Sequence, residues 1–204
     1  MAPYLQTVKS FADVPVTDEG VDTAAFLEAS RGLVGIFDLI GSSALNLVSN
    51  DLNGNITKVQ TRYDAATDKS KTLELLVKNE MAEKKSTATQ GLLWLLRGQS
   101  FTCKALQATQ ADKQKGLSDA FNESYEKTLK PHHSFLIRPV FAVAMKACPQ
   151  RDGLYTKLKE DKSGGVAASQ DVLDTELDKW LASLEQIVQR VDAFYEKNGY
   201  KKGL

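Results

Sequence analysis

The chain has 204 residues, with 26 basic side chains against 26 acidic ones and 42% hydrophobic residues. That apolar fraction excludes a disordered chain and permits a sizeable core, while zero formal net charge excludes the electrostatic footprint that nucleic-acid binders carry. The longest apolar runs, at 92–96 and 140–145, are far shorter than the ~18 residues a membrane span needs.

The opening residues lack the basic stretch and the roughly 7–15-residue apolar run of a secretory signal, so the expectation is a cytoplasmic chain. Cys103 and Cys148 have no CxxC spacing and read as small buried hydrophobes of a reducing compartment. The five prolines, at 3, 15, 131, 139 and 149, leave 16–130 and everything beyond 150 free of helix breakers. Apolar residues recur three and four apart, and neither strict alternation nor a repeat is present, which predicts an all-α fold.

The first helix is predicted over 22–40, with Phe26, Leu27, Leu33, Ile36, Phe37 and Ile40 inward and Gly41, Ser42 and Ser43 ending it. A second, over 44–65, carries the stripe Leu45, Val48, Leu52, Ile56, Val59 and Tyr63. Gly54 in its middle costs about 1 kcal/mol against Ala, so a close approach is expected there. A third helix is predicted over 69–84. The fourth runs from 86 or 87 to 108 through GLLWLLRGQSFTCKAL, the most apolar stretch, and should be central. After a polar linker comes a short helix over 118–129. Pro131 then suits the first turn of another that ends before Pro149 and is kinked by Pro139. The loop EDKSGGVAAS precedes a final helix over 170–197, followed by a short basic tail.

No Walker A, GxGxxG, HExxH, GxSxG or paired-cysteine signature is present, which disfavours the familiar enzyme classes and a metal site. His132 and His133 are sequence neighbours, pointing about 100° apart on a helix, and cannot ligate one metal as an i, i+4 pair would. In DLNGNITK, Asp51, Asn55 and Lys58 stand at i, i+4 and i+7 within about 60° of helix circumference, roughly 90° from the apolar stripe. One reading is a surface ion pair with a neutral Asn between. The other is a ligand site, since a carboxylate, an amide and an ammonium engage polyol hydroxyls in both hydrogen-bonding senses. Trp94 is either a core aromatic or a flat face for the C–H side of a sugar. Arg97, one turn on, reads as a snorkelling arginine or as support for the acidic residue of the second helix.

Taken together, DLNGNITK, GLLWLLRG and LKPHHSFLIRPVF resemble the glycolipid transfer protein family, and the sequence looks like its fungal heterokaryon-incompatibility branch. The likeness covers about 22–197, as one domain spanning 1–204 with 1–21 as an N-terminal extension. It includes the IFDLIGSSAL turn and the ACP after the sixth helix. The resemblance implies a two-layer sandwich of about eight helices that encloses one sphingolipid. Its sugar headgroup would sit at a surface site and its hydrocarbon chains in an apolar pocket. Asp51, Asn55 and Lys58 match the headgroup trio and Trp94 the stacking tryptophan. His133 matches the histidine that bonds the ceramide amide carbonyl while the aspartate takes the amide N–H. By position Ile36, Phe37, Val48, Phe101, Leu129 and Phe141 would line the pocket. Phe135 would touch the membrane where many relatives carry a tryptophan.

Asn55 and Trp94 stand where the phosphorylated-sphingolipid branch has basic residues, so the set suits a neutral sugar. The function implied is non-enzymatic transfer of simple glycosylceramides between membranes by a cytoplasmic, peripherally bound carrier with neither metal nor cofactor. The rival readings are a glycolipid sensor read by a partner protein and a lipid hydrolase using Asp51 and His133, for which no nucleophile is evident.

Overall fold

Local chemistry at the entrance to the first long helix sets the frame. In the computed structural model, which describes residues 3–161 and 165–202, the Asp22 carboxylate accepts the Ala25 backbone N–H at 2.8 Å and opens a helix at Thr23–Ile40. Gly41 closes it at φ 70°, a left-handed conformation that a glycine adopts without Cβ strain. This helix is α2, because a single turn, α1 (Tyr4–Thr7), precedes it. There follow α3 (Asn46–Ala65), α4 (Leu73–Ala82), α5 (Thr87–Ala111) and α6 (Leu117–Thr128), then α7 (Arg138–Lys146), α8 (Arg151–Lys159) and α9 (Gln170–Asn198). The fold is all-α apart from one short antiparallel pair, β1 (Val16–Thr17) and β2 (Gly20–Val21).

The apolar α5 is the pivot, packed against α3, α6, α9 and α4. Its N-terminus is fixed by a neighbouring helix. The buried Glu80 carboxylate of α4 accepts the Ala88 and Thr89 backbone N–H groups at 3.0 and 2.7 Å, donors that the start of a helix otherwise leaves unpaired. At the other end Gln107 and Gln110 of α5 donate to Glu185 and Asp178 of α9, so α5 continues three residues beyond the predicted 108.

Several expectations need correction. The segment 3–21 is packed into the same core rather than appended as an extension. Phe11 is buried edge-on against Trp180 at 4.9 Å and lies 6.2 Å from Phe26, with Leu5, Val14 and Val21 also buried. The third helix starts at Leu73, not 69, because the chain before it is held extended. The Lys71 carbonyl accepts Thr23 N–H, Asp22 and Thr72 form a bridge, and the Thr72 hydroxyl then caps Leu75 N–H.

Pro139 does not kink a helix. It lies in the first turn of α7, where its missing N–H costs nothing, and the chain from His133 to Ile137 is non-helical. Pro131 likewise sits in a 3-10 turn, Lys130–His132. Helix α8 was not anticipated, although Leu154, Tyr155 and Leu158 form its buried face. Gly54 has open space where a Cβ would stand, so no close approach explains it. Within the predicted loop, residues 162–164 lie outside the described residues, as do 203–204 of the predicted tail.

Candidate functional site

The i, i+4, i+7 spacing on α3 makes one linked polar stripe. Asn55 donates its amide N–H to Asp51 Oδ2 at 3.2 Å, and Lys58 donates to Asn55 Oδ1 at 3.0 Å. Asn55 is 3% exposed whereas Asp51 and Lys58 are exposed, so the stripe runs from the core edge outward rather than lying wholly on a boundary. Although Asp51 as a whole residue is exposed, partial desolvation of its carboxyl by the surrounding protein raises its pKa from the ordinary value, against which Lys58 and the Asn55 hydrogen bond act. With its second N–H, its other carboxylate oxygen and the remaining ammonium donors, the trio can still both donate and accept.

The glycines of GLLWLLRG explain how this stripe meets Trp94. A Cβ at Gly91 would lie 2.9 Å from Lys58 Cβ, and one at Gly98 would lie 2.7 Å from Leu52 Cδ2. Seven residues apart, these glycines share nearly one face of α5 and let α3 approach along two turns. Trp94, one turn after Gly91, is partly exposed. Its ring lies 5.7 Å from that of His133 at an interplanar angle of 21°, an offset stack, and the Arg97 guanidinium carbon is 4.8 Å from the indole centroid. Arg97 therefore attends Trp94, and the carboxylate that acts on its charge is Asp192 of α9 rather than the acidic residue of α3.

His133 is held by groups from two helices. Its Nδ1 lies 3.1 Å from the Tyr125 hydroxyl of α6, and its ring is 4.6 Å from that of Phe141 of α7. Burial, with His132, Arg138 and Arg97 nearby, lowers its pKa below the ordinary imidazole value and favours the neutral ring. If Nδ1 accepts from Tyr125, Nε2 carries the proton and is the ring donor left to a ligand. His132 is exposed, with its ring edge-on to Trp94 at 6.4 Å.

The six apolar candidates, Ile36, Phe37, Val48, Phe101, Leu129 and Phe141, are all buried in one hydrophobic cluster. Aromatic rings lead inward from the histidine: His133 meets Phe141, Phe141 is 6.4 Å from Phe101, Phe101 is 5.1 Å from Phe121, and Phe121 is 6.2 Å from Phe37 of α2. Phe135 is 77% exposed on the non-helical turn before α7. Thus the trio is brought together, and Trp94 and His133 are brought together. No direct hydrogen bond or ring contact joins the two groups among the described residues, and the Gly91 approach sets them side by side.

A family profile described as Glycolipid transfer protein (GLTP) matches residues 21–160. The chain belongs to that family. A glycolipid transfer protein of Aureobasidium melanogenum is 42% identical over 192 residues, which are 94% of this chain and 92% of that protein. The crystal structure of HET-C2, a fungal glycolipid transfer protein, superposes with a TM-score of 0.87 at 42% identity, covering 95% of this chain and 96% of that one. A structure addressing how FAPP2 selects simple glycosphingolipids with the GLTP fold gives a TM-score of 0.86 at 30% identity, covering 97% and 96%. The expected fold and family are therefore met, and the family places the chain among lipid carriers rather than enzymes.

Two features of the site escaped the sequence reading. Tyr125 supports His133 across a turn, and its signal was a polar atom on the buried face Leu117, Phe121, Tyr125 of α6. The glycine pair Gly91 and Gly98 was visible as a seven-residue spacing within an apolar helix. Cys103 and Cys148 are free thiols, with Cys103 buried and its thiol pushed up to about 12 by burial.

Proposed function

We propose that this protein carries simple glycosphingolipids between membranes, binding the sugar and amide at Asp51, Asn55, Lys58, Trp94 and His133. The physical need is large. At ~0.8 kcal/mol per CH₂, two chains of about 15 carbons resist leaving a bilayer by on the order of 20 kcal/mol, so spontaneous exchange is very slow. A carrier that offers a second apolar environment at the membrane surface lowers that barrier without making or breaking a bond.

The observation that carries this reading is the pairing of a linked donor–acceptor stripe with a partly exposed indole beside a neutral histidine, at the outer end of a file of buried aromatic rings. In the proposed complex the trio meets sugar hydroxyls and the first sugar stacks on Trp94. Asp51 takes the amide N–H, and Nε2 of His133 donates to the amide carbonyl. The hydrocarbon follows the rings from Phe141 and Phe101 toward Phe37, parting side chains that now touch, with Ile36, Val48 and Leu129 flanking. Phe135 is the proposed membrane contact. The chain would act in the cytoplasm as a peripheral membrane protein. Among the described residues no helix is long and apolar enough to cross a membrane.

The test is transfer of fluorescent galactosylceramide between phosphatidylcholine vesicles, with ceramide-1-phosphate as a competing cargo. Wild type is expected to prefer the glycolipid. Asp51→Val is expected to lose transfer by about 10- to 100-fold, the loss of a charge-assisted hydrogen bond, with its thermal midpoint nearly unchanged because the residue is exposed. Undiminished transfer by that variant would overturn the site assignment.

A further inference from the structure

The chain's zero net charge hides a local asymmetry. Residues 126–149 hold Lys127, Lys130, Arg138 and Lys146 against the single acid Glu126. The same stretch carries most of the large apolar side chains that stand in solvent. Phe135 is 77%, Leu136 67% and Val143 66% exposed, with Ile137 and Val140 close behind. Between α6 and α7 a groove of about 340 Å³ has Tyr125, Glu126, Lys130, Phe135, Arg138 and Met145 among its lining residues. Lys130 is already paired with Glu126 at 2.6 Å. Arg138 is not. Its Nε donates to the His133 carbonyl at 3.1 Å, and among the described residues it has no carboxylate partner. A guanidinium tethered through Nε keeps its terminal nitrogens free to make a forked contact with a phosphate.

We infer that this groove is a subsite for the phosphate of an anionic phospholipid in the bilayer, gripped by Arg138 with Lys130 beside it. The inference rests on the membrane-visiting carrier proposed above. The apolar side chains beside the groove decide the source of the phosphate, because a free ion would gain nothing from them. A lipid phosphate arrives with a hydrocarbon surface for Phe135, Leu136 and Val143 to enter. The tether places the lipid contact one hydrogen bond from the backbone of His133.

The experiment measures binding of the full chain to phosphatidylcholine vesicles and to the same vesicles with phosphatidylserine as a minor component. Glycolipid transfer between the neutral vesicles is recorded on the same preparations. Wild type is expected to bind the anionic vesicles at least about fivefold more tightly, the effect of roughly one basic side chain near such a surface. Arg138→Gln is expected to lose most of that preference. Lys146→Gln, the same charge change at the far end of α7, is expected to keep it, and thermal midpoints confirm that both variants fold.

Equal losses in the two variants would reduce the effect to diffuse charge and overturn the subsite, as would a wild type without preference. Competition by millimolar inorganic phosphate would overturn the lipid as its source. Failure of transfer between neutral vesicles strikes the carrier reading instead, so the two failures are told apart.

Discussion

The two tryptophans of this chain, one on α5 and one on α9, live in opposite surroundings. Trp180 of α9 is 1% exposed, meets the ring of Phe11 edge-on at 4.9 Å, and belongs to the apolar floor that the N-terminal segment and α2 close. Trp94 of α5 is partly exposed and keeps company with groups that carry or can carry charge, the imidazole of His133 and the guanidinium of Arg97. A ring whose neighbours are all hydrocarbon contributes stability through lost water contact. A ring left half open beside polar groups contributes comparatively little to folding and offers a surface to a ligand. Stability and recognition are therefore carried by different aromatic sites on two helices that pack together.

The sharpest way to break this comparison is to truncate both rings. Trp180→Ala is expected to cost about 3–5 kcal/mol of stability, the usual penalty for emptying a large aromatic site, with transfer by the folded fraction retained. Trp94→Ala is expected to cost far less in thermal or urea unfolding and to weaken glycolipid binding by about tenfold or more through the lost stacking face. Equal destabilisation by the two changes would show that Trp94 is core after all.

What could be read from the sequence follows the range over which each signal acts. The trio was legible because its residues are four and three apart on one helix, where spacing alone fixes direction. The ends of α2 were legible because Asp22 and Gly41 act within a few residues. The support of His133 was not, since Tyr125 reaches it across a turn whose path no periodicity encodes. Pro139 misled because a missing N–H suits the start of a helix as well as it breaks the middle of one. The packing of the N-terminal segment is not legible, since it lies outside the stretch that carries the family likeness and its buried residues, Leu5, Phe11, Val14 and Val21, follow neither a helical nor a strand period.

A second prediction tests the seam between the two functional groups. Gly91→Ala places a Cβ 2.9 Å from Lys58 Cβ and 3.0 Å from its Cδ, and backbone helices on both sides resist the shift. The expected cost is about 1–3 kcal/mol in chemical unfolding, together with weaker glycolipid binding as Lys58 is displaced. Destabilisation with fully preserved binding would mean that the trio does not depend on this approach.

A smaller effect is expected from pH. Desolvation of the rings, only partial for the exposed His132 and assisted by neighbouring cations, lowers the pKa of both His132 and His133, so the folded chain holds fewer protons there than the unfolded one. Their contribution to stability is complete above the unfolded value of about 6.5 and is lost as the pH falls below it and through the lower folded values. Asp51 acts in the opposite sense and at lower pH. Partial desolvation raises the pKa of its carboxyl, so acidification through the carboxylate range adds to stability rather than subtracting from it. Thermal midpoints recorded through mildly acidic pH should fall for the wild type and fall less for His133→Gln. Identical slopes would remove His133 from the titration.

The smallest expected effect separates stability from recognition on α3 itself. Gly54 is exposed, has no atom within 4 Å of where a Cβ would stand, and lies in the middle of a helix without a positive φ. Gly54→Ala should therefore raise stability by about 0.5–1 kcal/mol, mostly by restricting the unfolded chain. Helical spacing places it about 60° from Asp51 on the side away from the apolar stripe, so the new methyl flanks the trio without touching it. A headgroup confined between α3 and Trp94 would not meet that methyl, and transfer should be unchanged. If stability rises while glycolipid transfer falls, the sugar leans across the outer flank of α3, and the glycine has been kept for the ligand rather than for the fold.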